Sequence, residues 1–338
     1  MNRPILALLA LVAPMALAAC GGPVTEAEPL SSPTFDKALT ILQLQAHSGD
    51  PTVRANCIEA LQVSRDPRAL EVIEGGLHDS EWVVRFAAAM ASGESKLAVV
   101  RPVLNTLVTN DPNLSVRVGC IYALRRLGDL SHWSDLGATM ESADSQVRAN
   151  TALVLAMSGD EAGIALLQAH RLDPDVRVRF EITSALARLG DAAAQDVIVS
   201  ESVNKYADDQ WNAMVVCGYL PQNVALSPLL LGLQGVSDGA PGATKPAELP
   251  LTLTVRRQLI AARSLAKFRN GSGSTIALDN LKNPDPGLRS LAALALGEML
   301  TSRQAPGLDP ILEDADEGVR RAAAAAVINV YARAARNH

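Results

Sequence analysis

Aromatic side chains are scarce in this chain. Four Phe, four Tyr and three Trp make up 3% of 338 residues, although 48% of the residues are hydrophobic. Extended β folds lean on aromatic and β-branched residues, so a large sheet protein is excluded. A disordered chain is excluded by the apolar content. Basic residues are not in excess: 30 Lys and Arg stand against 36 Asp and Glu, a formal charge of −6. Without surplus cations to displace counterions from a phosphate backbone, nucleic acid is excluded as a partner. There are four cysteines, Cys20, Cys57, Cys120 and Cys217, and no two have metal-ligand spacing. What is plentiful is Ala, Leu and Val, with 23 Gly and 19 Pro. Burial through small apolar side chains points to helices stacked closely on helices. The length suits either two compact domains or one repetitive array.

Residues 1–19 carry a single Arg, Arg3, followed by an apolar run from Pro4 to Ala19. The run is shorter than the ~20 residues of a comfortable membrane span and reads as a secretory signal. It ends Leu17-Ala18-Ala19-Cys20-Gly21-Gly22, which resembles the lipobox of bacterial lipoproteins; the alternative is an ordinary signal with a chance cysteine. The resemblance implies lipid on Cys20, with two or three acyl chains for stable anchoring. It also implies a location in the cell envelope facing the periplasm. Gly21 and Gly22 stand where an Asp often holds lipoproteins at the inner membrane, which favours the outer one. Residues 20–33, rich in Pro, Glu and Ser, read as a tether, and the folded part is expected from 34 to 338.

The folded part is one motif repeated. Asp50-Pro-Thr-Val-Arg54, Asp144-Ser-Gln-Val-Arg148, Asp175-Val-Arg-Val-Arg179, Asp285-Pro-Gly-Leu-Arg289 and Asp316-Glu-Gly-Val-Arg320 carry it complete, and Arg85 and Arg117 stand in close variants. The arginines at 54, 85, 117, 148 and 179 are spaced by 31, 32, 31 and 31 residues, and Arg289 to Arg320 is again 31. A period this regular marks a solenoid. Trp211-Asn212 opens a sixth unit and Gln258 takes the Arg place of a seventh, with Val255-Arg256 the alternative register. Counting the residue before each Arg as zero, apolar or small residues recur at offsets 0, 4, 7, 8 and 11, on one helix face. Unit three shows them as Val116, Cys120, Ala123, Leu124 and Leu127, and unit nine as Val319, Ala323, Ala326, Val327 and Val330. The opening Asp offers an N-cap, and Leu-Gly-Asp at 127–129 and 189–191 supplies a helix-ending Gly. A second helix, such as the one opening at Asp66-Pro67-Arg68, lies between the motif helices. Such a hairpin buries its apolar face only by stacking on its neighbours.

This pattern resembles the HEAT-like repeat of phycobilin lyase subunits over about residues 34 to 335. The resemblance implies an all-α solenoid, a superhelix of about nine HEAT-like hairpins in which chain position becomes place along a curved rod. It implies a ladder of the motif Asp and Arg residues (Asp50, Arg54, Arg85, Arg117, Asp144, Arg148, Asp175, Arg179, Asp285, Arg289, Asp316, Arg320), interrupted at Asn212 and Gln258. Residues 235–250, rich in Gly and Pro, read as an inserted loop, either a tolerated turn insertion or a recognition loop or hinge.

Catalytic patterns are weak. His47 and His78 each sit seven residues before a repeat Arg, so they read as polar turn residues, with a shared metal as the alternative. The HEAT-like iron hydroxylases use His-Glu pairs, and this sequence has no His-Glu dipeptide. Ser264-Leu-Ala-Lys267 is a bare Ser-x-x-Lys, and Gly271-Ser-Gly-Ser-Thr275 lacks the Lys of a phosphate loop. Bilin lyase activity does not suit an exported chain. Cys57 and Cys120, both at offset 4 and two repeats apart, fall on the order of 20 Å from each other, so free buried thiols are expected. Offsets 2, 6, 9 and 13 oppose the core face. They place Phe86, Met90, Val118, Tyr122, Leu153 and Phe180 either on a concave apolar groove for a protein or peptide partner or in packing between repeats. The function expected is a non-enzymatic, membrane-anchored scaffold with no cofactor or metal. The alternatives are a metal-dependent or lyase-like enzyme and a structural component of envelope assembly.

Overall fold

The computed structural model describes residues 32–204, 207–234 and 251–336. The expected signal 1–19, Cys20 with nearly all of the tether, and the insertion 235–250 lie outside the described residues. Within them the chain is helical, with no strand. Each motif opens a helix: α2 (Pro51–Leu61), α4 (Trp82–Glu94), α6 (Leu114–Arg126), α8 (Ser145–Ser158), α10 (Val176–Arg188), α12 (Ala207–Cys217), α14 (Leu251–Ala266), α16 (Pro286–Met299) and α17 (Glu317–Arg336). Between them run α1 (Pro33–Gln45), α3 (Pro67–Gly76), α5 (Arg101–Asn110), α7 (Leu136–Met140), α9 (Glu161–Ala169), α11 (Ala192–Ser202), α13 (Gln222–Leu233) and α15 (Ser274–Asp279). Two 3-10 turns, Ala305–Leu308 and Ile311–Glu313, take the place of a first helix in the ninth unit.

The motif Asp does what its chemistry suggests. Asp50, Asp144 and Asp175 each accept the backbone N–H two residues on at 2.8 Å, and Asp285 does so at 2.7 Å. Gly128 and Gly190 close their helices with φ of 91° and 97°, a region that favours a residue without a Cβ. The offset pattern matches burial: Val116, Cys120, Ala123 and Leu124 are in the core, and so are Val319, Ala323, Ala326, Val327 and Val330. The Gln258 register holds as well, because it puts Ala261 and Leu265 at offsets 4 and 8, where both are fully buried. The same register puts Arg257 at offset 0, in the core.

Successive motif helices pack on one another from α2 through α17, forming one continuous layer, with the first helices behind them. The row then returns to its start, since α17 packs on both α1 and α2. The Tyr331 ring meets Phe35 edge to face at 5.5 Å, and Ser32 Oγ donates to the Tyr331 hydroxyl at 2.7 Å. Arg321 donates to Gln45 Oε1 at 2.8 Å, Gln45 Nε2 donates to the Glu317 carbonyl at 3.1 Å, and Lys37 pairs with Glu313 at 2.6 Å. The solenoid is therefore a closed ring, which corrects the expectation of a curved rod with separate ends. Closure covers the apolar flanks that terminal repeats otherwise expose.

Candidate functional site

The aromatic and apolar stripe does not form a groove. Met90, Val118 and Tyr122 are 1%, 0% and 0% exposed, and Phe86, Leu153 and Phe180 are half-buried against the core. The reason is that a motif helix in this layer has a neighbour on each flank, so offsets 2, 6 and 9 serve packing between repeats. At offset 9, a Cβ on Gly297 would stand 2.7 Å from the Ala326 Cα, and one on Gly93 would stand 3.0 Å from the Ala123 Cα.

The ladder exists, but its carboxylates are different ones. Arg54 takes Asp79 through Nε and Nη2 at 2.8 and 2.7 Å. Arg85 takes Asp111 at 2.7 and 3.0 Å, Arg148 takes Asp173 at 2.6 and 2.8 Å, and Arg289 takes Asp314 at 2.8 and 2.9 Å. Each rung joins one repeat to the next, 25 or 26 residues on. Asp50, Asp144, Asp175, Asp285 and Asp316 are the caps, and the rung acceptors stand two residues before a cap. The same acceptors also take a backbone N–H, as Asp314 does from Asp316 and Asp173 from Asp175, both at 2.9 Å. Hydrogen bonds from the arginines hold Asp79, Asp173 and Asp314 below the usual carboxylate range. Where the acceptor should serve Arg117 the chain has Ser142, and Arg117 instead donates Nε to the Asp111 carbonyl at 2.6 Å. Arg179 bonds the Asp173 and Pro174 carbonyls, and Arg320 those of Asp314 and Ala315. Gln258 donates to the Leu233 carbonyl at 3.0 Å.

Along this edge, near the missing rung, a cleft of about 360 Å³ opens between repeats four and five. Met140, Ser142, His170, Leu172, Asp173 and Pro174 are among its lining residues. His170 bridges it, with Nε2 2.8 Å from Glu141 and Nδ1 2.9 Å from the Leu166 carbonyl. Leu172 in its lining is 81% exposed and Val176 at the start of α10 66%, and Leu114, at the equivalent position two repeats earlier, is 39% exposed.

A second site lies where the C-terminal ends of the motif helices meet inside the ring. Offset 10 supplies Glu94, Arg126, Arg188, Lys267, Glu298 and Asn329, a column that the sequence shows at the repeat spacing and that the apolar pattern conceals. Tyr122 donates its hydroxyl to Glu94, and Arg126 Nε is 3.8 Å from the same carboxylate. Arg188 belongs to repeat five and Glu94 to repeat two, yet each acts on the other electrostatically. Glu298 is buried among Lys267 at 3.6 Å, Asn329 at 3.1 Å, Arg263 and Arg333, and these cations keep its carboxyl low against the desolvation that raises it. Burial lowers Arg188, and it pushes Glu181 up to about 7 and Glu59, at offset 6, up to about 8.

His47 and His78 are both exposed. Among the described residues no group of three or more His, Cys, Asp or Glu is placed to hold a metal ion. Ser264 is buried with its hydroxyl on the Met214 carbonyl at 2.9 Å, and Lys267 reaches the Tyr219 hydroxyl at 3.2 Å, so the two side chains of the Ser-x-x-Lys pair have separate partners. Cys57, Cys120 and Cys217 are free and buried, and desolvation pushes the thiols of Cys57 and Cys217 up to about 12 and about 11. No helix among the described residues is long and apolar enough to cross a membrane.

The family profile described as HEAT repeats matches residues 38–129 and 255–329. The chain carries HEAT repeats over those residues and folds as an all-α solenoid. No curated protein matches its sequence. Among solved structures it is similar to human deoxyhypusine hydroxylase in complex with glycerol, at 16% identity and a TM-score of 0.34, covering 78% of this chain and 96% of that one. It is also similar to the complex of CpcE and CpcF of phycocyanin lyase from a Nostoc species, at 16% identity and a TM-score of 0.42, covering 75% of this chain and 93% of that one. An engineered protein aligns at 16% identity and a TM-score of 0.29, over 88% of this chain and 94% of that one.

Proposed function

We propose that the protein is a non-enzymatic scaffold, exported and held to the envelope by lipid on Cys20, that takes a protein or peptide partner on the edge of its ring. The observation that carries this reading is the exposed apolar edge of repeats three to five. Leu172 lines the cleft and is 81% exposed, with Val176 at the start of α10 at 66% and Leu114, at the equivalent place in α6 of repeat three, at 39%. Anchoring rests on Leu17-Ala18-Ala19-Cys20, and the tether following it gives the ring reach from a membrane surface. The test is photo-crosslinking in intact cells from a probe at position 172 or 176, with a probe at the exposed Leu278 as control. A discrete adduct from 172 and 176 that is absent from 278 is the expected result. Equal labelling at all three positions, or none, overturns the docking edge. Retention of palmitate label after Cys20→Ala overturns the anchor.

A further inference from the structure

The inside of the ring carries positive charge that its own carboxylates do not match. Arg188 lies with its guanidinium carbon 4.9 Å from the centroid of the Tyr219 ring, and Lys267 has its ammonium 4.3 Å from the same centroid. Two cations from repeats five and seven thus share one aromatic ring from repeat six, which brings like charges close together. Among the described residues no carboxylate lies within ion-pair distance of Arg188, which Glu181 and Glu94 reach only through longer-range attraction, and Lys267 has only Glu298, at 3.6 Å. Arg126, Arg263, Arg333 and Arg336 act on the same two carboxylates, Glu94 and Glu298. Buried Nε atoms of Arg263 and Arg333 have no hydrogen-bond partner. Buried donors are ordinarily satisfied, and a cluster of guanidinium groups is suited to oxyanions, which it binds through paired N–H donors. The concentration is the more notable in a chain whose net charge is −6.

We propose that this axial cluster of cations binds a small polyanion, a ligand with two or more carboxylate or phosphate groups, held by Arg188, Lys267 and the more exposed Arg126. Tyr219 positions both cations through its ring, and Tyr122 fixes the Glu94 carboxylate through its hydroxyl. The site is separate from the docking edge, which lies at the other ends of the motif helices, so it stands whether or not a protein docks there.

Isothermal titration of the full chain with citrate, and separately with tripolyphosphate, at constant ionic strength tests the proposal. Saturable one-to-one binding of either anion is expected, and the one preferred assigns the ligand to the carboxylates or the phosphates. Arg188→Gln together with Lys267→Gln should weaken it at least tenfold. Arg126→Gln is the milder variant should the double substitution unfold the ring, and it should weaken binding severalfold. Arg177→Gln, a substitution at an exposed arginine paired with its own helix cap, should leave binding unchanged. No saturable heat with either anion overturns the proposal. So does a loss in Arg177→Gln equal to that in the axial variants, which would reduce the effect to overall charge.

Discussion

Asp173 receives Nε and Nη2 of Arg148 at 2.6 and 2.8 Å while its Oδ1 accepts the backbone N–H of Asp175 at 2.9 Å. One carboxylate therefore ties repeat four to repeat five and also shapes the turn into α10. With side chains only 11% and 3% exposed, the pair is shielded from water. Removing one partner strands the other, so Asp173→Asn is expected to lower unfolding stability by about 2–4 kcal/mol. The converse change, Ser142→Asp, supplies the missing acceptor opposite Arg117 while keeping the bond to the Asp144 N–H that Ser142 accepts at 3.2 Å. It should raise stability by about 0.5–1 kcal/mol. Urea unfolding of both variants measures this, and a loss from Ser142→Asp would show that the edge there is shaped for something other than a rung.

The rungs also set the acid limit of the fold. Asp79, Asp173 and Asp314 have carboxyls held low in the folded chain by their arginines. A group whose pKa is lower folded than unfolded stabilises the fold above its unfolded value, about 3.9 for Asp, and that contribution disappears as pH falls through the folded value. Stability should therefore be level from pH 7 to about 5 on this account and drop below about 4. The triple variant Asp79→Asn, Asp173→Asn, Asp314→Asn should start lower and show a shallower acid drop. An unchanged slope of stability against pH would remove the rungs from that role.

The repeat length, the helix caps and the core were legible because they obey local rules. A 31-residue period, an Asp at the N-cap and apolar residues at 0, 4, 7, 8 and 11 each leave a mark within one unit. The rung acceptors were less so, because Asp79 and Asp314 stand next to the more conspicuous cap positions and pair across a repeat boundary. Burial of Met90, Val118 and Tyr122 depends on how closely neighbouring motif helices approach, which Gly93, Gly119 and Gly297 permit. Ring closure depends on the summed curvature of nine units, and that quantity resides in no single stretch of residues. The column from Glu94 to Asn329 was visible in spacing, but its charges acquire meaning only when the ring brings repeats two, five and seven together.

Tyr122 distinguishes a groove from a packed interface. Its ring is fully buried and its hydroxyl donates to Glu94, itself 6% exposed at the side chain. Tyr122→Ala is expected to lower stability by about 3–5 kcal/mol, the range for losing a buried aromatic ring. An alanine at a groove-lining residue would leave the melting temperature nearly unchanged, so thermal unfolding separates the two roles.

Closure makes a prediction about the chain ends. In an open solenoid the terminal helix frays first, and a substitution there has little global effect. Here Tyr331 packs against Phe35 and accepts from Ser32, and it is 6% exposed. Tyr331→Ala should therefore lower the stability of the whole array by about 2–4 kcal/mol. It should also increase amide exchange in both α1 and α17. Exchange rising in α17 alone would mean that the ends do not support each other in solution.

Glu59 gives the opposite pH dependence to the rungs. Burial raises its carboxyl to about 8 in the folded chain, against about 4.3 unfolded. The folded state then holds a proton that the unfolded state releases, so the fold loses stability as pH rises from about 4.3 to 8 and levels off beyond that. Glu181, raised to about 7 and moderated by Arg188, adds to the lower part of the same window. Glu59→Gln keeps the shape and removes the proton. Its advantage over the native chain should be absent at pH 4, grow through neutrality and reach its full size near pH 8. Urea midpoints at pH 4, 6 and 8 report it, and a constant difference across the three would place the raised carboxyl elsewhere.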